Sequence, residues 1–293
     1  MFDIIGKRFW FFLVSGVVVL ASIISLATFG LKAGVEFSSG SLMMVGFTQE
    51  VDEESMKQEL TNVGYKSALI QRTGEGDFLL RLPELSSEVR VALESQLAAK
   101  FGALEVKELQ SVSPMVATET IRNAAIAVAI SIIGILLYIA WAFRKMPNPF
   151  RYGTCAVIAL IHDVIIALGT FSILGGILGW QIDLMFVIGI LTVIGYSIND
   201  TVVIFDRIRE NLFKDKGSDF EEVVNNSLVE TLGRSLNTSL TTLFVVVALL
   251  LFVGEPIQNF AVVMLIGIIA GTYSSICIAA PLLVVWRRKV KHA

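Results

Sequence analysis

Six apolar runs dominate this chain, at Phe9–Gly30, Ile121–Phe143, Tyr152–Leu178, Leu184–Phe205, Ser235–Val253 and Phe260–Trp286. Each is close to the ~20 residues that a helix needs to cross a hydrocarbon core. Backbone polar groups in lipid must be satisfied within the protein, so runs of this length are read as transmembrane helices. Composition agrees: 55% of the residues are hydrophobic and only 17% charged. No soluble domain of 293 residues could hide that much apolar surface in one core. The formal net charge of −3 provides no footprint for nucleic acid. Cys155 and Cys277 both lie in apolar runs. They read as small hydrophobes, with neither a disulfide nor a metal site inferred. The lipid bilayer is thus the first partner.

Lys7 and Arg8 precede the first run, as they would in a signal peptide. The run is too long for a signal core and lacks a convincing small-x-small cleavage site, so an uncleaved signal-anchor helix is expected. Phe9 to Phe12 suit an interfacial aromatic belt. Linkers bearing Arg144, Lys145 and Arg151, then Arg207, Arg209, Lys214 and Lys216, and a tail bearing Arg287 to Lys289 and Lys291, alternate with linkers that have no base. The positive-inside rule then predicts both termini in the cytoplasm and residues 31–120 on the far side. The expected organisation is a first helix within 1–30, an outward domain over 31–120, a five-helix bundle over 121–286 and a basic tail over 287–293.

The outward segment reads as a small α+β domain. Val35 to Phe47 is an expected strand with an interruption at Ser38, Ser39 and Gly40. Asp52 to Val63 reads as an amphipathic helix with acids in its first turn. Ser67–Arg72 and Phe78–Leu82 read as short strands about a Thr73–Asp77 turn. A helix over Ser86–Phe101 and a strand over Leu104–Leu109 complete a β-α-β-β-α-β order, that of a ferredoxin-like domain. Residues 31–120 hold fourteen acids against eight bases, read as a solvated face; no catalytic or metal-binding spacing accompanies them.

Chemistry is expected in the spans, at GYSINDTVVIFDRIREN over 195–211. Asp200 falls within an apolar run, where an ionisable side chain costs a few kcal/mol and marks a functional position. Thr192, Tyr196, Asn199 and Asp206 follow three- and four-residue steps on the same span. Arg234, Asn237, Thr238 and Thr241 share a face of the next. His162-Asp163 lies near the middle of the third span. Gly267 and Gly271 form a small-residue pair read as helix packing, and the Ser/Thr positions of the sixth span read as interhelical hydrogen bonds. An acid desolvated by burial and then approached by an arginine can load and release a proton, so Asp200 and Arg234 are the leading pair.

These stretches resemble the SecF family, bacterial members of the resistance-nodulation-division superfamily. The resemblance rests on GYSINDTVVIFDRIREN, RSLNTSLTT, ALIHD in the third span and GVEFSSG after the first. It covers essentially the whole chain. One departure stands out: Glu36 replaces the family's usual Asp, and Ser38-Ser39 stands where Thr-Gly is typical. The resemblance implies a non-enzymatic accessory subunit of the Sec translocase in the bacterial cytoplasmic membrane. Its expected partners are a SecD-like subunit, the SecYEG channel, YidC and the translocating preprotein. It implies a proton pathway between two six-helix bundles, with Asp200 as the intramembrane acid and Arg234 as its partner. No cofactor is expected; a proton is the coupling ion, with sodium the alternative. Asp163, Asn199 and Tyr196 are grouped with this path, Asp163 either extending it or pairing with a neighbour.

Two other readings follow from the same residues. Asp163 and Asp200 on adjacent spans suggest the dyad of an intramembrane aspartyl protease, although the Gly-x-Gly-Asp pattern is missing. A drug or lipid exporter of the same superfamily is the other, against which the single small outward domain argues.

Overall fold

The computed structural model describes residues 3–66, 68–73, 76–214, 217, 219–253 and 257–291, the last four as backbone only. Ser67, Gly74 and Glu75 near the expected hairpin, Lys216, linker residues 254–256 and tail residues 292–293 lie outside the described residues. The chain separates into two compact units, Met1–Lys32 with Ile126–Ala293, and Ala33–Ala125.

The smaller unit is built on β1 (Gly40–Phe47), α3 (Glu53–Asn62), β2 (Leu69–Arg72), β3 (Phe78–Leu82), α4 (Ser87–Phe101) and β4 (Leu104–Val112). The sheet order is β2-β3-β1-β4, with every neighbouring pair antiparallel. Each helix therefore connects two parallel strands that have one antiparallel strand between them, which is the ferredoxin-like arrangement. Met43, Val45, Phe78 and Leu80 alternate inward from the two central strands. They pack on Met56 and Leu60 of α3 and Leu93 and Leu97 of α4. Asp52 caps α3 by accepting from the Ser55 amide at 3.0 Å, and Ser86 caps α4 through the Val89 amide at 3.4 Å.

The expected strand from Val35 begins instead as a helical turn, α2 (Val35–Ser38), and pairing starts only at Gly40. Ser39 at φ 60° and Gly40 at φ 121° turn the chain out of the extended region, which ends the possibility of a continuous strand. The Ser38 hydroxyl donates to Gly34 O at 2.9 Å and accepts from Arg81, fixing that turn against β3.

Among the described residues, six helices are long and apolar enough to cross a membrane. They are α1 (Arg8–Phe29), α5 (Pro114–Ala142), α6 (Pro149–Leu178), α7 (Leu184–Lys214), α8 (Phe220–Phe252) and α9 (Gln258–Ser274) continued through a π-helical turn (Ser275–Ala279) into α10 (Ala280–Lys291). This is a multi-pass membrane protein. Two helices outrun their apolar stretches: α7 continues nine residues past Phe205, and α8 begins fifteen before Ser235. Polar pairing holds these extensions together. Arg207 Nε donates to Glu230 at 2.5 Å, and Asn211 Nδ2 donates to both Glu230 and Ser227.

Small residues set the closest helix approaches in the larger unit. Gly267 lies against Val193, where a Cβ would overlap the valine side chain. A Cβ on Gly271 would come within 2.8 Å of Ser197 Cβ. On the neighbouring pair, Gly169 of α6 lies directly on Ser22 of α1. Such contacts bring helix backbones together where lipid offers no hydrophobic drive.

Candidate functional site

The contacts among α6, α7, α8 and α9 carry two buried carboxylates and a set of hydroxyls. Asp163 of α6 is fully buried. Its Oδ2 accepts from Ser197 Oγ of α7 at 2.7 Å and from Ser274 Oγ of α9 at 2.8 Å. Its Oδ1 lies 2.9 Å from His162 Nδ1. One carboxylate thus joins three spans. The close approach at Gly271 is what makes this possible, because it seats Ser274, three residues on, over the polar face of α7.

A second layer of hydroxyls continues from there. Thr201 Oγ1 and Ser275 Oγ are 2.8 Å apart, and Ser275 Oγ also donates to Ser197 O at 3.3 Å. These bonds sit at the π-helical turn, where the helix has one extra residue to accommodate. His162 stacks on Tyr273, with ring centroids 6.3 Å apart. Tyr273 in turn donates to Phe11 O of α1 at 2.9 Å.

Asp200 is also buried but held differently. Ser235 Oγ of α8 donates to its Oδ1 at 2.5 Å. Its Oδ2 is buried without a hydrogen-bond partner among the described residues, as is His162 Nε2. An orphan carboxylate oxygen at membrane depth costs free energy, of the order of 1–3 kcal/mol or more, and is a position where a proton or an added partner would be taken up.

Sequence reasoning paired Asp200 with Arg234. The described ion pairs do not include them; Ser235, the next residue, makes the contact, and Arg234 is exposed beside it. Asn237, Thr238 and Thr241 are exposed on the same helix, and Thr192 and Asn199 on α7. Tyr196 is half-buried, its hydroxyl 3.5 Å from Ser239 Oγ, which lies 2.6 Å from Thr272 Oγ1. Asp163 and Asp200 are brought onto neighbouring helices but onto separate hydroxyls. Ser197, Ser235 and Ser274 were not singled out as site residues. Ser197 stands three residues before Asp200 and Ser235 adjoins Arg234, and those spacings were the available signal.

Comparison with known proteins places this geometry in a family. The family model for the protein export membrane protein SecD/SecF, C-terminal, matches residues 92–289. The protein translocase subunit SecF of Thermobaculum terrenum is 42% identical, over 99% of this chain and 95% of its own. The corresponding subunit of Anaerolinea thermophila is 39% identical, over 98% of this chain and 94% of its own. Among solved structures, SecDF from a Thermus species, described as a translocon-associated membrane protein, matches with a TM-score of 0.86 at 33% identity over 98% of this chain. SecDF in a super-membrane-facing form matches with a TM-score of 0.71 at 31% identity over 99% of this chain. This chain spans 39% of the length of either SecDF chain. Matching the family model over residues 92–289 and SecF subunits at 39–42% identity over nearly its whole length, the chain belongs to the SecD/SecF family of protein-export membrane proteins.

Proposed function

We propose that this chain is the SecF subunit of a Sec translocase accessory complex, non-enzymatic, which uses the proton-motive force to promote preprotein export. The observation that carries the reading is the buried, unpartnered Oδ2 of Asp200 beside a membrane-depth polar face. That face consists of Arg234, Asn237, Thr238 and Thr241 of α8 with Asn199 of α7, all exposed in the isolated chain. Polar and charged groups within a bilayer face protein or a water-filled path rather than lipid. A second, SecD-like bundle over this face supplies both.

In this reading Asp200 alternates between protonated and ionised forms, and Arg234 is the cation that favours the ionised one. Moving one charge through 100 mV supplies about 2.3 kcal/mol, enough to shift a two-state bundle by well over tenfold. Asp163, tied to α7 and α9 at once, transmits the change between helices. The complex lies in the bacterial cytoplasmic membrane with both termini inside, acting beside SecYEG and YidC on emerging preprotein. The coupling ion is a proton; sodium is the alternative. The arrangement does not favour an aspartyl protease. A protease dyad shares a proton between two adjoining carboxylates, whereas Asp163 and Asp200 each engage serines.

The test is cross-linking from the polar face. Cys155 and Cys277 are buried, so Asn237→Cys adds an accessible thiol. Capture of a SecD-like subunit from Asn237→Cys, with none from a cysteine at the exposed apolar position Leu137 of α5, supports the reading. Equal capture from both positions, or none, contradicts it.

A further inference from the structure

We propose that a cleft at the basic end of the bundle binds the phosphate of an anionic phospholipid headgroup. The cleft is separate from the Asp163 and Asp200 sites. Asn148, Arg151 and Tyr152 at the start of α6, Phe220 at the start of α8, and Leu283 and Arg287 near the end of α10 line a cavity of about 200 Å³. Three helix ends therefore contribute to one opening, and two of its residues are arginines.

Both guanidiniums lack a carboxylate within 4 Å among the described residues. Elsewhere at this end Arg8 pairs with Glu221 at 3.2 Å, Arg207 with Glu230 at 2.5 Å and Arg209 with Asp206 at 2.5 Å, while Arg144 lies over the Trp141 ring at 4.7 Å and donates to Trp141 O. Arg151 and Arg287 differ in that both line one cavity. Arg287 is positioned by its neighbour, its guanidinium carbon 4.1 Å from the centroid of the Phe220 ring. A planar guanidinium held in this way presents a fork of donors matched to phosphate oxygens. Asn148 makes no side-chain capping bond to α6, its backbone is left-handed at φ 56°, and it lines the same cavity.

The remaining walls suit a lipid better than free phosphate. Tyr152, Phe220 and Leu283, all buried, give the cleft an apolar wall beside the arginines. Trp286, partly exposed and adjacent to Arg287, is the residue type that settles at headgroup depth. Basic pockets between helix ends on the positive side of a membrane protein are suited to anionic headgroups.

The experiment is native mass spectrometry of the full chain, purified with its partner, titrated with phosphatidylglycerol, phosphatidylcholine or inorganic phosphate. The expected result is a retained phosphatidylglycerol adduct, weakened about tenfold by R151Q/R287Q, the loss of two charge-assisted contacts. The lysine pair R151K/R287K falls between, and K7Q, an exposed base outside the cleft, leaves binding unchanged. A photoreactive phosphatidylglycerol on the unmodified protein should label residues 147–152 and 283–287, which keeps the test independent of how the variants fold. Undiminished phosphatidylglycerol binding by R151Q/R287Q, equal retention of phosphatidylcholine, labelling elsewhere, or phosphate bound as well as the lipid would each overturn the proposal.

Discussion

Ser197 Oγ donates to Asp163 Oδ2 at 2.7 Å, and Ser197 stands three residues before Asp200 on the same helix. The two intramembrane acids are thereby mechanically linked although they share no hydrogen bond. Any shift of α7 that changes the surroundings of Asp200 also moves a donor of Asp163.

Removing that donor should therefore be costly. Ser197→Ala leaves Asp163, fully buried, with Ser274 and His162 alone. The expected loss is about 1–3 kcal/mol, read as a lower melting temperature of the purified complex. Ser197→Thr keeps a hydroxyl and should recover part of it. An unchanged melting temperature for Ser197→Ala would show that Asp163 does not depend on this bond.

Filling the close approach tests the same geometry from the other side. Gly271→Val puts side-chain carbons where Ser197 already sits, and α9 must move away. Overpacking of this kind costs roughly 1–3 kcal/mol and should separate Ser274 from Asp163. Gly134→Val on α5, where nothing lies within 4 Å of the added Cβ, should leave stability nearly unchanged. Equal effects of the two substitutions would contradict the packing account.

Much of this arrangement was legible in the residue string, and the rest was hidden for physical reasons. Apolar runs mark spans because lipid tolerates little else, so the six helices could be placed, and an aspartate inside one of them announces itself by its cost. Serine carries no such signal, since its hydroxyl can bond its own helix backbone anywhere, and so Ser235 went unremarked, while Ser274, read as an interhelical hydrogen bond, makes one but to a partner, Asp163, that the pattern does not name. Hydropathy also ends where the lipid ends rather than where the helix does, which is why the polar extensions of α7 and α8 were missed. The π-helical turn after Ser274 depends on tertiary bonds to Thr201 and Ser197, which no local pattern records.

A pH effect is expected in the smaller unit. The hydroxyl and amide of Ser55 donate to Asp52 and hold its carboxyl below the usual carboxylate range. A group depressed in the folded state stabilises above its unfolded pKa of about 3.9. That contribution is lost as pH falls through the folded value. Hydrogen exchange of the first-turn amides of α3 should therefore accelerate as pH falls below that range, after correction for intrinsic rates. Asp52→Asn should remove the pH dependence while retaining a cap. Persistence of the same dependence in Asp52→Asn would assign it to another group.

Arg234 separates function from stability. It is exposed and contributes no ion pair among the described residues, so Arg234→Gln should change the melting temperature of the isolated chain little. In the assembled complex it should abolish the gain in export that a proton gradient gives. Loss of folding in the isolated chain would instead make Arg234 a structural residue.

The most direct measurement compares preprotein translocation into vesicles carrying this protein and its partner, for wild type and Asp200→Asn, after initiation by ATP. Each is assayed with and without an imposed proton gradient. The account predicts that only the wild type gains from the gradient, because Asp200→Asn keeps the shape of the site but cannot exchange a proton. An equal gain in both would contradict it, leaving Asp200 structural and moving the ion path to Asp163 or to the partner.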